Sequence, residues 1–151
     1  MKDNQITGNA GDGINLSKTT LETLDNNTVA DNKGHGIDLS DTIVVTLSYN
    51  IITGHEGVGI GAFSGSHITL IQENQISNNG NHGIGLTTSR VEALQNNIIV
   101  KNSGVGIIID RNSHVNITNN IVVPNNQGIN FFSGTGTLSP VLGYNDVWNN
   151  A

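Results

Sequence analysis

The sequence predicts an all-β solenoid: a single-stranded parallel β-helix with about 23 residues per coil, six full coils and a partial seventh. Three observations predict it. First, an asparagine recurs at Asn4, Asn27, Asn50, Asn74, Asn97, Asn120 and Asn145, at intervals of 23, 23, 24, 23, 23 and 25 residues. Second, a second asparagine stands five residues later at Asn9, Asn32, Asn79, Asn102, Asn125 and Asn150, with His55 in its place in the third copy. Third, apolar residues occur in short pieces of period two, such as Ile14/Leu16 and Val115/Ile117, which is the alternation of a strand with one face in and one face out.

Each unit is built in the same order. Two residues after the first asparagine comes a β-branched residue, Ile6, Val29, Ile52, Ile76, Ile99, Val122 or Val147. After the second asparagine comes a Gly-Ile pair, Gly13-Ile14 through Gly128-Ile129, and two residues on an apolar group such as Leu16, Leu39, Leu86 or Ile109. Three residues before the next asparagine stands Leu24, Leu47, Ile71, Leu94, Ile117 or Leu142. Three short strands and three turns close one coil. Glycine and asparagine between the strands are expected to take left-handed turn conformations. Stacked coils place equivalent positions roughly 4.8 Å apart, so asparagine side chains are expected to hydrogen-bond along the stack, and His55 to bond its stacked neighbours in the same ladder. The prediction for the core is one buried ladder of Ile37, Ile60, Ile84 and Ile107.

The whole chain, 1–151, is expected to be one β-helix domain. Both ends fall inside a coil without a polar cap, and exposed stacking faces are normally covered; the chain is therefore expected to be a segment of a longer β-helix or to associate end to end. Phe131, Phe132, Tyr144 and Trp148 are expected to plug the C-terminal end or lead into further coils.

Composition narrows the function. Hydrophobic content is 35%, with 24 Asn and 19 Gly, a balance that suits a thin apolar core with polar turn ladders. The net charge of −6 and six scattered basic residues disfavour nucleic acid. The chain has no cysteine for disulfide or thiolate chemistry, no signal-peptide-like apolar region in residues 1–10, and no apolar run long enough to span a membrane.

The Asn-x-Ile-x-x-Asn and Gly-Ile-x-Leu runs resemble the right-handed parallel β-helix repeat family, which includes pectate lyases, polygalacturonases and alginate epimerases. The resemblance covers nearly the whole chain. It implies a right-handed coil, an extracellular, periplasmic or cell-surface setting, and a polysaccharide groove on the face that follows the Gly-Ile strand. The family's catalytic signatures are incomplete here. Gly34-His35-Gly36 looks like one short polygalacturonase motif, but no paired Asp-Asp precedes it and no Arg-Ile-Lys follows. The Tyr-Gly-x-Asp-Pro-His run of the epimerases is absent.

Reading the stack by columns selects the candidate residues. Asp12, His35 and His82 share one outward column with Val58 and Val105; Asn15 and Asp38 share the next with Gly61 and Gly85. Asp12, His35 and Asp38 are the candidate catalytic groups, as general acid or base. Asn15, His82, Asp110 and Arg111 are the candidate substrate-binding residues, and Gly61 and Gly85 are expected to leave a trough free of side chains. No metal site or cofactor is expected beyond weak Ca²⁺ binding at the stacked acids. His67 and His114 are expected to be solvated. The leading functional reading is a carbohydrate-associated binding surface or scaffold of an extracellular or envelope protein. The alternative is a polysaccharide lyase, glycoside hydrolase or epimerase.

Overall fold

The computed structural model describes residues 1–110, 113–132 and 140–151. Among these the chain forms three parallel sheets and no helix. The first sheet stacks Ile14–Ser17, Ile37–Ser40, Ile60–Phe63, Ile84–Thr87, Val105–Asp110 and Gln127–Phe132. The second stacks Thr20–Asp25, Ile43–Ser48, His67–Gln72, Arg90–Gln95, His114–Thr118 and Val141–Gly143. The third stacks Gln5–Thr7, Thr28–Ala30, Ile51–Thr53, Gln75–Ser77, Ile98–Val100, Ile121–Val122 and Asp146–Val147. Each coil contributes one strand to each sheet, so every strand pairs with its copies one coil away rather than with its sequence neighbours.

The register is the one that the periodicity predicts. Ile37 pairs with Ile60, Ile60 with Ile84 and Ile84 with Ile107, and all four are fully buried. The second sheet adds the stack Leu24, Leu47, Ile71, Leu94 and Ile117, and the third adds Val29, Ile52, Ile76, Ile99 and Val122, all fully buried. Their sequence neighbours face water: Ile51, Ile98 and Ile121 are exposed beside buried Ile52, Ile99 and Val122. The single 24-residue interval has a local cause. Ser64-Gly65 fills a corner that Asp41 alone fills one coil earlier.

Two corners carry the asparagine ladders. Asn74 is typical: its Oδ1 accepts from the backbone N–H and the side-chain amide of Asn50, each at 2.9 Å. Its own Nδ2 donates to Leu47 O, Gln72 O and the Oδ1 of Asn97. One amide thus ties three coils and satisfies backbone groups that would otherwise be buried without partners. His55 occupies its ladder position with 2% exposure. Its Nδ1 accepts from Asn32 N–H at 3.2 Å, and its Nε2–H donates to Val29 O at 3.1 Å. The neutral imidazole therefore copies the acceptor and donor of a carboxamide.

The third corner, between the first and second sheets, has a ladder of hydroxyls that the sequence reading missed. Thr42, Ser66, Ser89 and Ser113 are buried in equivalent places. Ser66 Oγ accepts from Thr42 N–H and shares its one hydrogen between Phe63 O and Leu39 O. Ser89 Oγ donates to Ala62 O and Thr87 O in the same manner.

Three expectations need correction. Left-handed backbone at the corners is mostly not glycine: Asn26, Tyr49, Glu73, Asn96 and Asn119 hold one corner, and among the described glycines only Gly8, Gly54 and Gly65 have positive φ. The Gly-Ile glycines are there for space. A Cβ on Gly36 would lie 2.6 Å from Gly59 O and 2.7 Å from the His55 ring, and one on Gly59 would lie 2.7 Å from Gly83 O. Nor do the C-terminal aromatics form a plug: Tyr144 is 93% exposed and Trp148 58%, while only Phe131 packs against the core. Finally, His67 is not simply solvated, because its Nε2 lies 3.0 Å from the Glu92 carboxylate.

Candidate functional site

The candidate residues lie on the outer face of the first sheet and on the loop that feeds it. Asp12, His35 and His82 are in the loop just before the Gly-Ile strand, and each side chain accepts a hydrogen bond from the next coil. Asp12 Oδ1 takes His35 N–H at 2.7 Å, His35 Nδ1 takes Val58 N–H at 2.9 Å, and His82 Nδ1 takes Val105 N–H at 2.9 Å. The chain leaves room for these bonds with glycine. A Cβ on Gly57 would come within 2.5 Å of His35 Nδ1, one on Gly104 within 2.7 Å of His82 Nδ1, and one on Gly34 would strike Asp12 Oδ1. The column is a further inter-coil ladder, in which an imidazole or carboxylate does the work that asparagine does at the other corners.

This has chemical consequences. The second oxygen of Asp12 accepts from Asn15 Nδ2 at 2.9 Å, so both of its oxygens are committed. Burial pulls its pKa up, but the bonds from Asn15 and the His35 backbone, with the nearby imidazole, outweigh that and hold the carboxyl below its usual value. His35 and His82 must carry their proton on Nε2, because Nδ1 is the acceptor. Burial holds His82 below the usual imidazole range.

Asp38 differs from Asp12. It is half-buried in register between Asn15 and Gly61, and it makes no hydrogen bond among the described residues. Burial raises its pKa; the charge of Asp12 adds to that effect and His35 opposes it. The bare trough expected at Gly61 and Gly85 is filled at Gly61. Phe63 folds back over Gly61, where a Cβ would lie 2.5 Å from its ring, and the ring centroid lies 6.1 Å from that of His35 at a 41° tilt. Bare backbone at Gly61 leaves an apolar seat that the nearest outward ring covers. Phe63, which the column reading places on this face beside Ser40 and Thr87, is therefore the residue that it did not select as a candidate, and the pairing of Gly61 with an aromatic two positions on was its signal.

The remaining candidates are dispersed. His82 sits two coils from His35, and Val58 separates them. Asp110 stacks between Thr87 and Phe132 at the end of the first-sheet strands, and Arg111 lies outside the described residues. The structure thus brings Asp12, Asn15, His35 and Asp38 together and leaves His82 and Asp110 apart from them. No helix among the described residues is long and apolar enough to cross a membrane.

With the coil geometry in place, the comparison with known families is decisive for the fold. A family model described as a right handed beta helix region matches residues 1–143. The chain belongs to the right-handed β-helix family. Neither the curated proteins nor the solved structures include a match to it. Membership sets the hand of the coil, which the spacing left open, and the stacking of a right-handed β-helix explains why polar residues in columns are consumed by inter-coil bonds.

Buried His55 and half-buried His82 are expected to make this β-helix acid-sensitive. Burial lowers the pKa of His55 as well, against the opposing bond to Val29. Both His55 and His82 are thus depressed in the fold, so protons bind the unfolded chain more tightly and stability rises with pH in this window. It is fully present above the unfolded histidine value of about 6.5 and is lost as the pH falls through the lower folded values. Urea midpoints are expected to drop between pH 7.5 and 5, and His55→Asn is expected to flatten part of that slope. Midpoints that are level across this range would contradict the ladder role of the imidazoles.

Proposed function

We propose that the first-sheet face is a carbohydrate-associated binding surface of an extracellular or envelope protein. One observation carries the reading: half-buried Asp38, His35 and Phe63 share the outer face of the first sheet, and between them they supply an uncommitted carboxyl, an imidazole Nε2–H and an aromatic ring. A ring offers the apolar face of a sugar a platform, and the carboxyl and N–H offer an acceptor and a donor for its hydroxyls. The proposed setting follows from this ligand class.

The catalytic alternative is less well supported by the same geometry. Glycoside hydrolysis by the two-carboxylate route needs a second acid that is free to move a proton or attack, and both Asp12 oxygens are held. A screen of acidic and neutral polysaccharides, followed by titration of those that bind, tests the proposal. Asp38→Asn and Phe63→Ala are each expected to weaken binding by about tenfold, the order of one lost contact of 1–2 kcal/mol, with no growth in reducing ends or unsaturated product. Binding that is indifferent to both substitutions would overturn the proposal. Turnover abolished by Asp38→Asn would establish the catalytic reading instead.

A further inference from the structure

A second cluster lies on another face of the stack and is not used by the reading above. His67, Arg90 and His114 begin three successive strands of the second sheet and pair in register, His67 with Arg90 and Arg90 with His114. Successive strands lie about 4.8 Å apart, so the three side chains form a short column of nitrogen donors. Glu92 ties the column together. Its carboxylate bonds Arg90 through both Nε and Nη2, and it lies 3.0 Å from His67 Nε2. The column borders a depression of about 270 Å³ lined by Gly65, Thr88, Ser89, Arg90 and His114. A second depression, of about 380 Å³ and bordered by His67, meets the first at Gly65, where a Cβ would meet nothing within 4 Å. In a chain of net charge −6, this corner is where cationic and titratable nitrogens converge.

We propose that His67, Arg90 and His114 form an oxyanion site that takes a sulfate or phosphate group when the two imidazoles are protonated. With neutral imidazoles, Arg90 and Glu92 cancel and the column attracts no anion. With both protonated, the four groups carry a net charge of +2, and the nitrogens that Glu92 does not hold, Arg90 Nη1, His67 Nδ1 and those of His114, can share one tetrahedral oxyanion. Histidine is the side chain whose charge changes between about pH 5 and 8, so acidification switches the site on. Among the described residues, the other charged groups on this side are Glu22 in the first coil, Lys18 and Asp41 at the corner beside His67, and Asp110 at the end of its first-sheet strand. Glu92 is the carboxylate in direct contact, and it sets the resting balance.

Calorimetric titration with inorganic sulfate, inorganic phosphate and dextran sulfate at about pH 5.5 and 7.5 tests the site, with circular dichroism to check each variant's fold. Sulfate keeps its charge across this range, so its pH dependence belongs to the protein. The wild type is expected to bind sulfate about tenfold more tightly at the lower pH, an increment typical of charge-assisted bonds. Arg90→Gln is expected to lose that gain, and Glu92→Gln to show it already at the higher pH. A preference for dextran sulfate over the free ions would assign an esterified polymer as the natural source, and equal or weaker binding a free oxyanion. Equal sulfate affinity at both pH values, or no loss in Arg90→Gln, would overturn the proposal.

Discussion

Asn74→Asp is expected to cost about 3–5 kcal/mol at neutral pH, the range for an uncompensated buried charge. Asn74 is 1% exposed. A carboxylate there would keep the bonds from Asn50, but its second oxygen would face Leu47 O, Gln72 O and the Oδ1 of Asn97. Four acceptors would then meet without a hydrogen among them. The folded chain would hold the new carboxyl protonated well above the unfolded value of about 3.9. The loss is therefore small below that value and grows as the pH rises through it. Asn74→Ala is expected to cost about 1–3 kcal/mol for each buried group left unpaired, with no such pH dependence. Asn96→Asp, exposed at the same corner, is expected to stay within about 0.5 kcal/mol of wild type. Urea denaturation of the three variants at several pH values checks the set. A loss in Asn74→Asp that is small and level with pH would mean that the amide does not point its hydrogens at those carbonyls.

The second large effect is in the apolar stack. Ile84→Ala is expected to cost about 2–5 kcal/mol, because Ile84 is fully buried between Ile60 and Ile107 and neither coil can slide to fill the space without breaking its ladders. Ile98→Ala, on the outward side of its strand, is expected to change stability by about 0.5 kcal/mol or less. Equal losses at the two positions would mean that the in-and-out alternation is wrong.

The fold was legible because a solenoid writes its structure into the sequence once per coil. Seven copies of the first asparagine and six of the Gly-Ile pair fix the register without any structure. The hydroxyl ladder was not legible in the same way. A threonine starts it and three serines follow, and the extra residue at Ser64-Gly65 shifts the spacing. The candidate site was legible as a set of columns but not as a set of roles. Asp12, His35 and His82 have the residue types of acid–base chemistry, yet each spends an acceptor on a backbone N–H one coil away. The signal was in the next coil: Gly34, Gly57 and Gly104 each follow their partner by 22 residues, and each leaves room for its side chain. Residue type pointed to chemistry, while the neighbouring glycine pointed to a hydrogen bond. The position of Phe63 over Gly61 depends on side-chain rotamers, which periodicity does not record.

The central claim is that polar side chains in the columns, including those that look catalytic, hold successive coils in register. The most direct test is the through-hydrogen-bond scalar coupling between backbone amide nitrogens and imidazole Nδ1, read by nuclear magnetic resonance on ¹⁵N-labelled protein at pH 7.5. Couplings are expected from Asn32 N to His55 Nδ1, from Val58 N to His35 Nδ1 and from Val105 N to His82 Nδ1, each joining residues 23 apart. All three rings should show the Nε2–H tautomer, with no such amide coupling at His67 or His114. Rings of His35, His55 and His82 that carry their proton on Nδ1, and the absence of all three couplings in a folded sample, would contradict the account.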